Sequence, residues 1–328
     1  MPLSILDLAP VKAGGTIAAS FAETLSLAQH AEQWGYKRFW LAEHHNMAGI
    51  ASAATSVLIG YVAAGTSHIR VGSGGVMLPN HSPLVIAEQF GTLETLYPGR
   101  IDLGLGRAPG TDAATLRALR RRPDSADDFP EQVAELLALL EPARPGQLIR
   151  AVPGTGTRVP IWLLGSSTFS AELAAQLGLP FAFAAHFAPQ QMRRAFALYR
   201  GNFRPSRWLK VPYTLACIPV IAAETDADAR RLTTSVQLKF LAIVRGVKDS
   251  LLSPPVDNID KYWVPEEKSR VETMLTELIA GGPQRVEEQL AAFLADTVVD
   301  ELMVSCNIYD REAQLKSYRL IAEAMQRV

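Results

Sequence analysis

The segment Phe39-Trp40-Leu41-Ala42-Glu43-His44-His45-Asn46 passes directly from apolar residues to a carboxylate, two imidazoles and an amide. That is the pattern of a buried strand emerging into a reaction site. An imidazole gains or loses its proton near neutrality, with an unperturbed pKa of roughly 6.5, so one of these histidines could act as a general acid or base. Neighbouring strand residues face opposite sides, so His44 and His45 are badly placed to share one ion. No further ligand at suitable spacing is evident, and no metal is expected.

Two further motifs suit a bound cofactor. Gly72-Ser73-Gly74-Gly75-Val76 lets a flat ring approach the main chain, because glycine leaves the backbone uncovered. A bulge or tight turn is its purely structural alternative. Gly165-Ser166-Ser167-Thr168-Phe169-Ser170 joins an apolar run to a helix. Unpaired N–H groups at a helix start, with hydroxyls beside them, make a phosphate site, although ordinary serine capping gives the same letters. Arg107 follows another apolar run, where a permanent cation can hold a phosphate. The surrounding glycines, with Pro109 among them, lack dinucleotide-fingerprint spacing. His81 could line the site or cap the following helix, and His186 is a weaker candidate.

The elements that must position these residues alternate regularly. Apolar runs predict strands over 3–8, 38–42, 69–76, 101–106, 159–164, 181–185, 213–222 and 301–306. Helical spacing predicts helices over 18–34, 51–64, 83–96, 131–140, 169–177, 189–203, 227–244 and 312–328. Eight strand–helix alternations predict a (β/α)8 barrel in a single domain, residues 1–328, with a doubly wound sheet as runner-up. Residues 246–268, with Pro254, Pro255 and Pro265, break the rhythm and read as an insertion or mobile loop before the last strand.

Composition narrows the function class. With 32 Lys and Arg against 33 Asp and Glu, the formal net charge of −1 points to neither a nucleic-acid partner nor an acidic tail. Cys217 and Cys306 sit inside apolar runs and read as buried thiols of a cytoplasmic protein. Between Ala48 and Ala87 the only Asp, Glu, Lys or Arg is Arg70. Serines, threonines and glycines punctuate that stretch, so buried elements with one face in a subunit interface explain it better than a membrane span. The N-terminus lacks the basic region of a signal peptide.

Taken jointly, Trp40–Asn46, Gly72–Glu88, Pro98–Arg107 and Trp162–Ser167 make the chain resemble the bacterial luciferase-like monooxygenases over nearly its whole length. The resemblance implies FMN at the carboxyl end of the barrel, with a non-prolyl cis peptide around Gly74, Gly75 and Val76 supporting the ring. It assigns the phosphate to Arg107, Gly165, Ser166, Ser167 and Ser170, and the active-site imidazole to His44. Glu43 or Asn46 would tune or orient His44, leaving His45 structural. It implies a monooxygenase acting with O2 on a small organic substrate, a separate flavin reductase and a homodimer. The alternatives are an F420-dependent oxidoreductase and a non-catalytic flavin-binding protein. Gly106 stands where the light-emitting luciferase chain carries a cysteine, so luminescence and an aldehyde substrate do not carry over.

Overall fold

The computed structural model describes residues 1–108, 112–122 and 124–328. Pro109 and Gly110 of the Arg107 motif lie outside the described residues. Eight parallel strands close into a barrel: β1 (Leu3–Asp7), β2 (Arg38–Leu41), β3 (Arg70–Met77), β4 (Ile101–Gly106), β5 (Ile161–Gly165), β6 (Phe181–Phe183), β7 (Thr214–Ala222) and β9 (Glu301–Ser305). Closure comes from β6–β7 pairing on one side and β1–β9 and β7–β9 pairing on the other. A ninth strand, β8 (Ile279–Gly281), pairs with the last residues of β7, beyond the part that pairs with β9. The fold is a (β/α)8 barrel with one additional strand.

Helices α1 (Ile17–Gln33), α2 (Thr55–Ala64), α3 (Pro83–Leu96), α4 (Ala113–Ala118), α5 (Phe129–Leu140), α6 (Thr168–Leu177), α7 (Met192–Asn202), α8 (Asp226–Val244), α9 (Pro265–Met274), α10 (Pro283–Thr297) and α11 (Arg311–Met325) complete the chain. Local chemistry sets several of their ends. Thr16, Thr225 and Asp310 accept backbone N–H groups at the starts of α1, α8 and α11. Gly178 ends α6 in the left-handed region, φ 63°. No helix among the described residues is long and apolar enough to cross a membrane.

Residues 246–268 contain more structure than a mobile loop. Leu252 forms a parallel bridge with Lys12, and Ala13 N–H donates to its carbonyl at 2.8 Å, so this insertion is tied to the β1–α1 loop. Its last residues already belong to α9. The helices α4, α9 and α10 and the strand β8 are additions to the predicted alternation, and β8 is too short for period-two patterning to reveal.

The main apolar core fills the space between barrel and helices. A smaller cluster, including Leu6, Trp40, Trp162, Leu215 and Met303, fills the barrel itself. Trp40 and Trp162 meet edge to face, centroids 5.2 Å apart. Below them the floor is charged. Arg38 donates to Asp102 at 2.7 Å and to Glu301 at 2.9 Å, Arg70 donates to Asp102 at 2.6 Å, and Tyr213 OH donates to Glu301 at 2.9 Å. Every one of these charges has an opposite partner, the condition under which burial is tolerable. With its floor sealed this way, the barrel opens at the carboxyl ends of its strands.

Candidate active site

Two inner strands supply space instead of side chains. Asp102 points into the barrel, so strand alternation turns Gly104 and Gly106 the same way. On β3, a Cβ at Gly74 would come within 2.7 Å of Leu6 Cδ1 and 3.1 Å of Trp40 Cβ, so Gly74 also borders the interior. The large rings of Trp40 and Trp162, on β2 and β5, fill the deeper layer. At the mouth, a Cβ on Gly106 would meet nothing nearer than Val76 O at 3.8 Å.

The peptide between Gly74 and Gly75 is cis, and the β3–β4 register shifts between Ser73 and Val76. The glycines are required by packing. A Cβ at Gly75 would lie 2.7 Å from Gly104 O and 2.8 Å from Gly104 C, both backbone atoms that cannot swing aside. This is where the non-prolyl cis peptide was expected.

The proposed phosphate residues are brought together. Gly106 pairs with Leu164 across β4–β5, placing Arg107 beside the start of α6. The Arg107 guanidinium lies 4.1 Å from the Phe169 ring centroid. Among the described residues no carboxylate pairs with it. Ser167 is the N-cap of α6, yet its side chain makes no capping hydrogen bond. The first-turn N–H groups, with their positive dipole end, therefore face outward beside a cation. Ser170 is buried, and a Cβ on Gly165 would come within 2.8 Å of its Oγ, which explains why the turn begins with glycine. Ser166 and Ser167 are half-buried. Backbone donors, a guanidinium with no carboxylate partner among the described residues and an open glycine-lined mouth fit a flat cofactor carrying a phosphate.

The histidine cluster is arranged differently from expectation. The Glu43 carboxylate binds His45 and His81. Its Oε1 accepts from Nε2 of His45 at 2.7 Å and from Nε2 of His81 at 2.7 Å, and its Oε2 accepts Met77 N–H at 3.3 Å. Burial alone would raise the Glu43 pKa, but the hydrogen bonds from His45 and His81 outweigh it and hold the carboxyl below its usual range. Asn46 is exposed, with φ 54° in the left-handed region. The N-cap of the following helix α3 is Ser82, and His81 instead ends the short 3-10 turn Leu78–Asn80; it lies 38 positions from Glu43 in sequence and meets it only through the fold.

His186 is the functional-site neighbour that sequence reasoning underweighted. Its N–H donates to Cys217 O at 2.7 Å, just past β6. Burial, followed by the nearby charge of His44, lowers its pKa to about 4. Its Nδ1 is buried and has no partner among the described residues. A position at the end of an inner strand was the available signal. Cys217 and Cys306 are both free and buried; burial raises both thiols, Cys306 to about 12.

Known proteins resemble this chain over almost all of it. The sequence profile described as luciferase-like monooxygenase matches residues 1–301. YvbT of Bacillus subtilis (strain 168) is 55% identical over 322 residues, 98% of this chain and 96% of that one. A protein named luciferase-like monooxygenase from Escherichia coli (strain K12) is 53% identical over 324 residues, again 98% and 96%. The N-acetyl-S-alkylcysteine monooxygenase of Bacillus subtilis (strain 168) is 34% identical over 343 residues, 98% of each chain. Among solved structures, apo-MsnO8 has a TM-score of 0.87 at 38% identity, covering 99% of this chain and 98% of that one. Two remoter structures share the fold. The oxygenating constituent of 3,6-diketocamphane monooxygenase from Pseudomonas putida, in complex with FMN, has a TM-score of 0.72 at 18% identity, covering 98% and 97%. An F420-dependent secondary alcohol dehydrogenase has a TM-score of 0.70 at 14% identity, covering 98% of each. With a profile match over most of its length and relatives of this identity, the chain belongs to the luciferase-like monooxygenase family.

Proposed function

We propose that this protein is an FMN-dependent monooxygenase, acting with reduced FMN and O2 on a small organic substrate. The observation that carries the reading is the meeting of Arg107 with the uncapped start of α6, beside the cis Gly74–Gly75 peptide and the open Gly106. Arg107, Gly165, Ser166, Ser167 and Ser170 would hold the phosphate. Gly74, Gly75 and Val76 would support the ring. Bound reduced flavin supplies the electrons and the oxygen chemistry. The chain's own residues bind it, exclude water through the apolar barrel, and move protons. His44 is the proton-handling residue, and His186, held neutral, lies near enough to feel its charge. Glu43 is a positioning residue that holds His45 and His81.

The chain acts as one barrel domain, with reduced flavin delivered by a separate reductase. We assign homodimerisation to α2 and α3, whose Val57, Tyr61 and Val85 are 70%, 44% and 44% exposed. Buried free thiols suit the reducing cytoplasm.

Equilibrium titration with FMN and with F420, followed by turnover of reduced FMN and O2, tests this. FMN binds and F420 does not. Arg107→Ala weakens FMN binding by about 10- to 100-fold, the worth of a charged hydrogen bond. His44→Ala lowers turnover with FMN affinity nearly intact. F420 binding in place of FMN would assign the scaffold to deazaflavin chemistry, which the F420-dependent neighbour makes the specific rival. FMN binding without turnover of any substrate would leave a flavin-binding protein.

A further inference from the structure

We propose that Glu43, His45 and His81 form a binding site for a divalent transition metal, with zinc the best-matched ion. The three residues come from two segments. Glu43 and His45 follow β2, and His81 follows the short 3-10 turn Leu78–Asn80 after β3. Glu43 Oε1 lies 2.7 Å from each of the two Nε2 atoms, and one donor atom from each residue falls within 4.8 Å of the others.

The donor chemistry selects the class of ion. Two imidazoles and a carboxylate form a set that zinc accepts at about 2.0–2.2 Å per bond, leaving a fourth position open. Imidazole favours zinc, copper, iron and nickel over magnesium and calcium, whose sites are built from oxygen. Tetrahedral bonds of that length set donors about 3.3–3.6 Å apart, so the widest spacing must close by up to about 1.5 Å while the two 2.7 Å contacts open slightly. His81 can make that adjustment, because it stands on a loop and its side chain is 27% exposed, against 16% for His45 and 2% for Glu43.

The surroundings already hold the ligands in place. Met77 N–H fixes the carboxylate through its second oxygen. The hydrogen bonds from the two Nε2 atoms gather the donors around one oxygen, and an ion would take the place of the two Nε2 protons, each neutral ring then carrying its proton on Nδ1. Bound metal would pin the end of β2 to the turn after β3. His44 lies on the pinned segment but supplies no ligand.

The site does not rest on the flavin reading: Glu43 has a positioning role there, but none of the three residues belongs to the proposed phosphate or ring contacts. The test is calorimetric titration of the chelator-treated full chain with zinc chloride, with thermal melting beside it. One ion should bind per chain and raise the melting temperature. His81→Ala and Glu43→Gln should each weaken binding by at least about tenfold, whereas changing the exposed His68→Ala should leave it unaltered. A Glu43→Gln protein that fails to fold does not decide the matter, because the His81→Ala comparison stands alone. Absence of stoichiometric uptake, or uptake that survives His81→Ala, would overturn the site whether or not the protein binds FMN.

Discussion

Single residues decide whether the barrel mouth is open, and two glycines should respond in opposite ways to one methyl group. At Gly75 the methyl would meet Gly104 backbone atoms at 2.7 and 2.8 Å. Gly75→Ala should therefore cost about 1–3 kcal/mol, read as a lower denaturation midpoint. At Gly106 it would meet only Val76 O, at 3.8 Å. Gly106→Ala should keep stability within about 0.5 kcal/mol while weakening FMN binding, since its methyl enters the mouth. Equal loss of stability in both would contradict the geometry. His186 makes a separate prediction. Its pKa falls from 6.5 to about 4 on folding, so the unfolded chain takes up the proton first as pH drops. The neutral ring's full contribution is present above pH 6.5 and is lost as pH falls through 4, a change of at most about 3 kcal/mol. His186→Gln removes that dependence. Between pH 6.5 and 4 the variant should gain stability relative to the wild type, and a constant gap between their urea midpoints would refute the assignment.

At the scale of elements, the strands are tied at one end by charge and left open at the other. Asp102 accepts from Arg38, Arg70 and Trp40, so a single buried carboxylate joins β2, β3 and β4 at the floor. Removing it leaves two guanidinium groups without that partner, Arg38 buried and Arg70 24% exposed. Asp102→Ala should cost about 3–5 kcal/mol in chemical denaturation, far more than an exposed ion pair such as Arg122–Asp124. Flavin affinity per folded molecule should change little, because the phosphate and ring contacts lie at the opposite ends of the strands. This division of labour follows from strand alternation: the same inner face carries Asp102 at the floor and Gly106 at the mouth.

At the scale of the whole molecule, the exposed apolar residues of α2 and α3 predict self-association. Sedimentation velocity should report a dimer, and Val57→Glu with Tyr61→Glu should shift it to monomer while the circular dichroism spectrum persists. A wild-type monomer at micromolar concentration would remove that assignment. Much of the architecture was legible beforehand. Apolar runs of strand length, helical spacing and glycine stops mark eight alternating units because each strand and helix must bury a face, and that need is written locally. The Gly74-Gly75 pair and the Gly165–Ser170 turn were legible for the same reason, since backbone exposure depends on residues adjacent in the chain. Other features came only with the tertiary structure. The sequence places Glu43 beside His44, but the fold turns the carboxylate to His45 and to His81, 38 residues away. It also adds β8 beyond the barrel rim and ties Leu252 to Lys12. Such contacts depend on which strands pair, in what register, and where the barrel closes, and no local period encodes those choices. The chain by itself therefore determined the elements and the chemistry they carry, whereas barrel closure decided which of those groups meet.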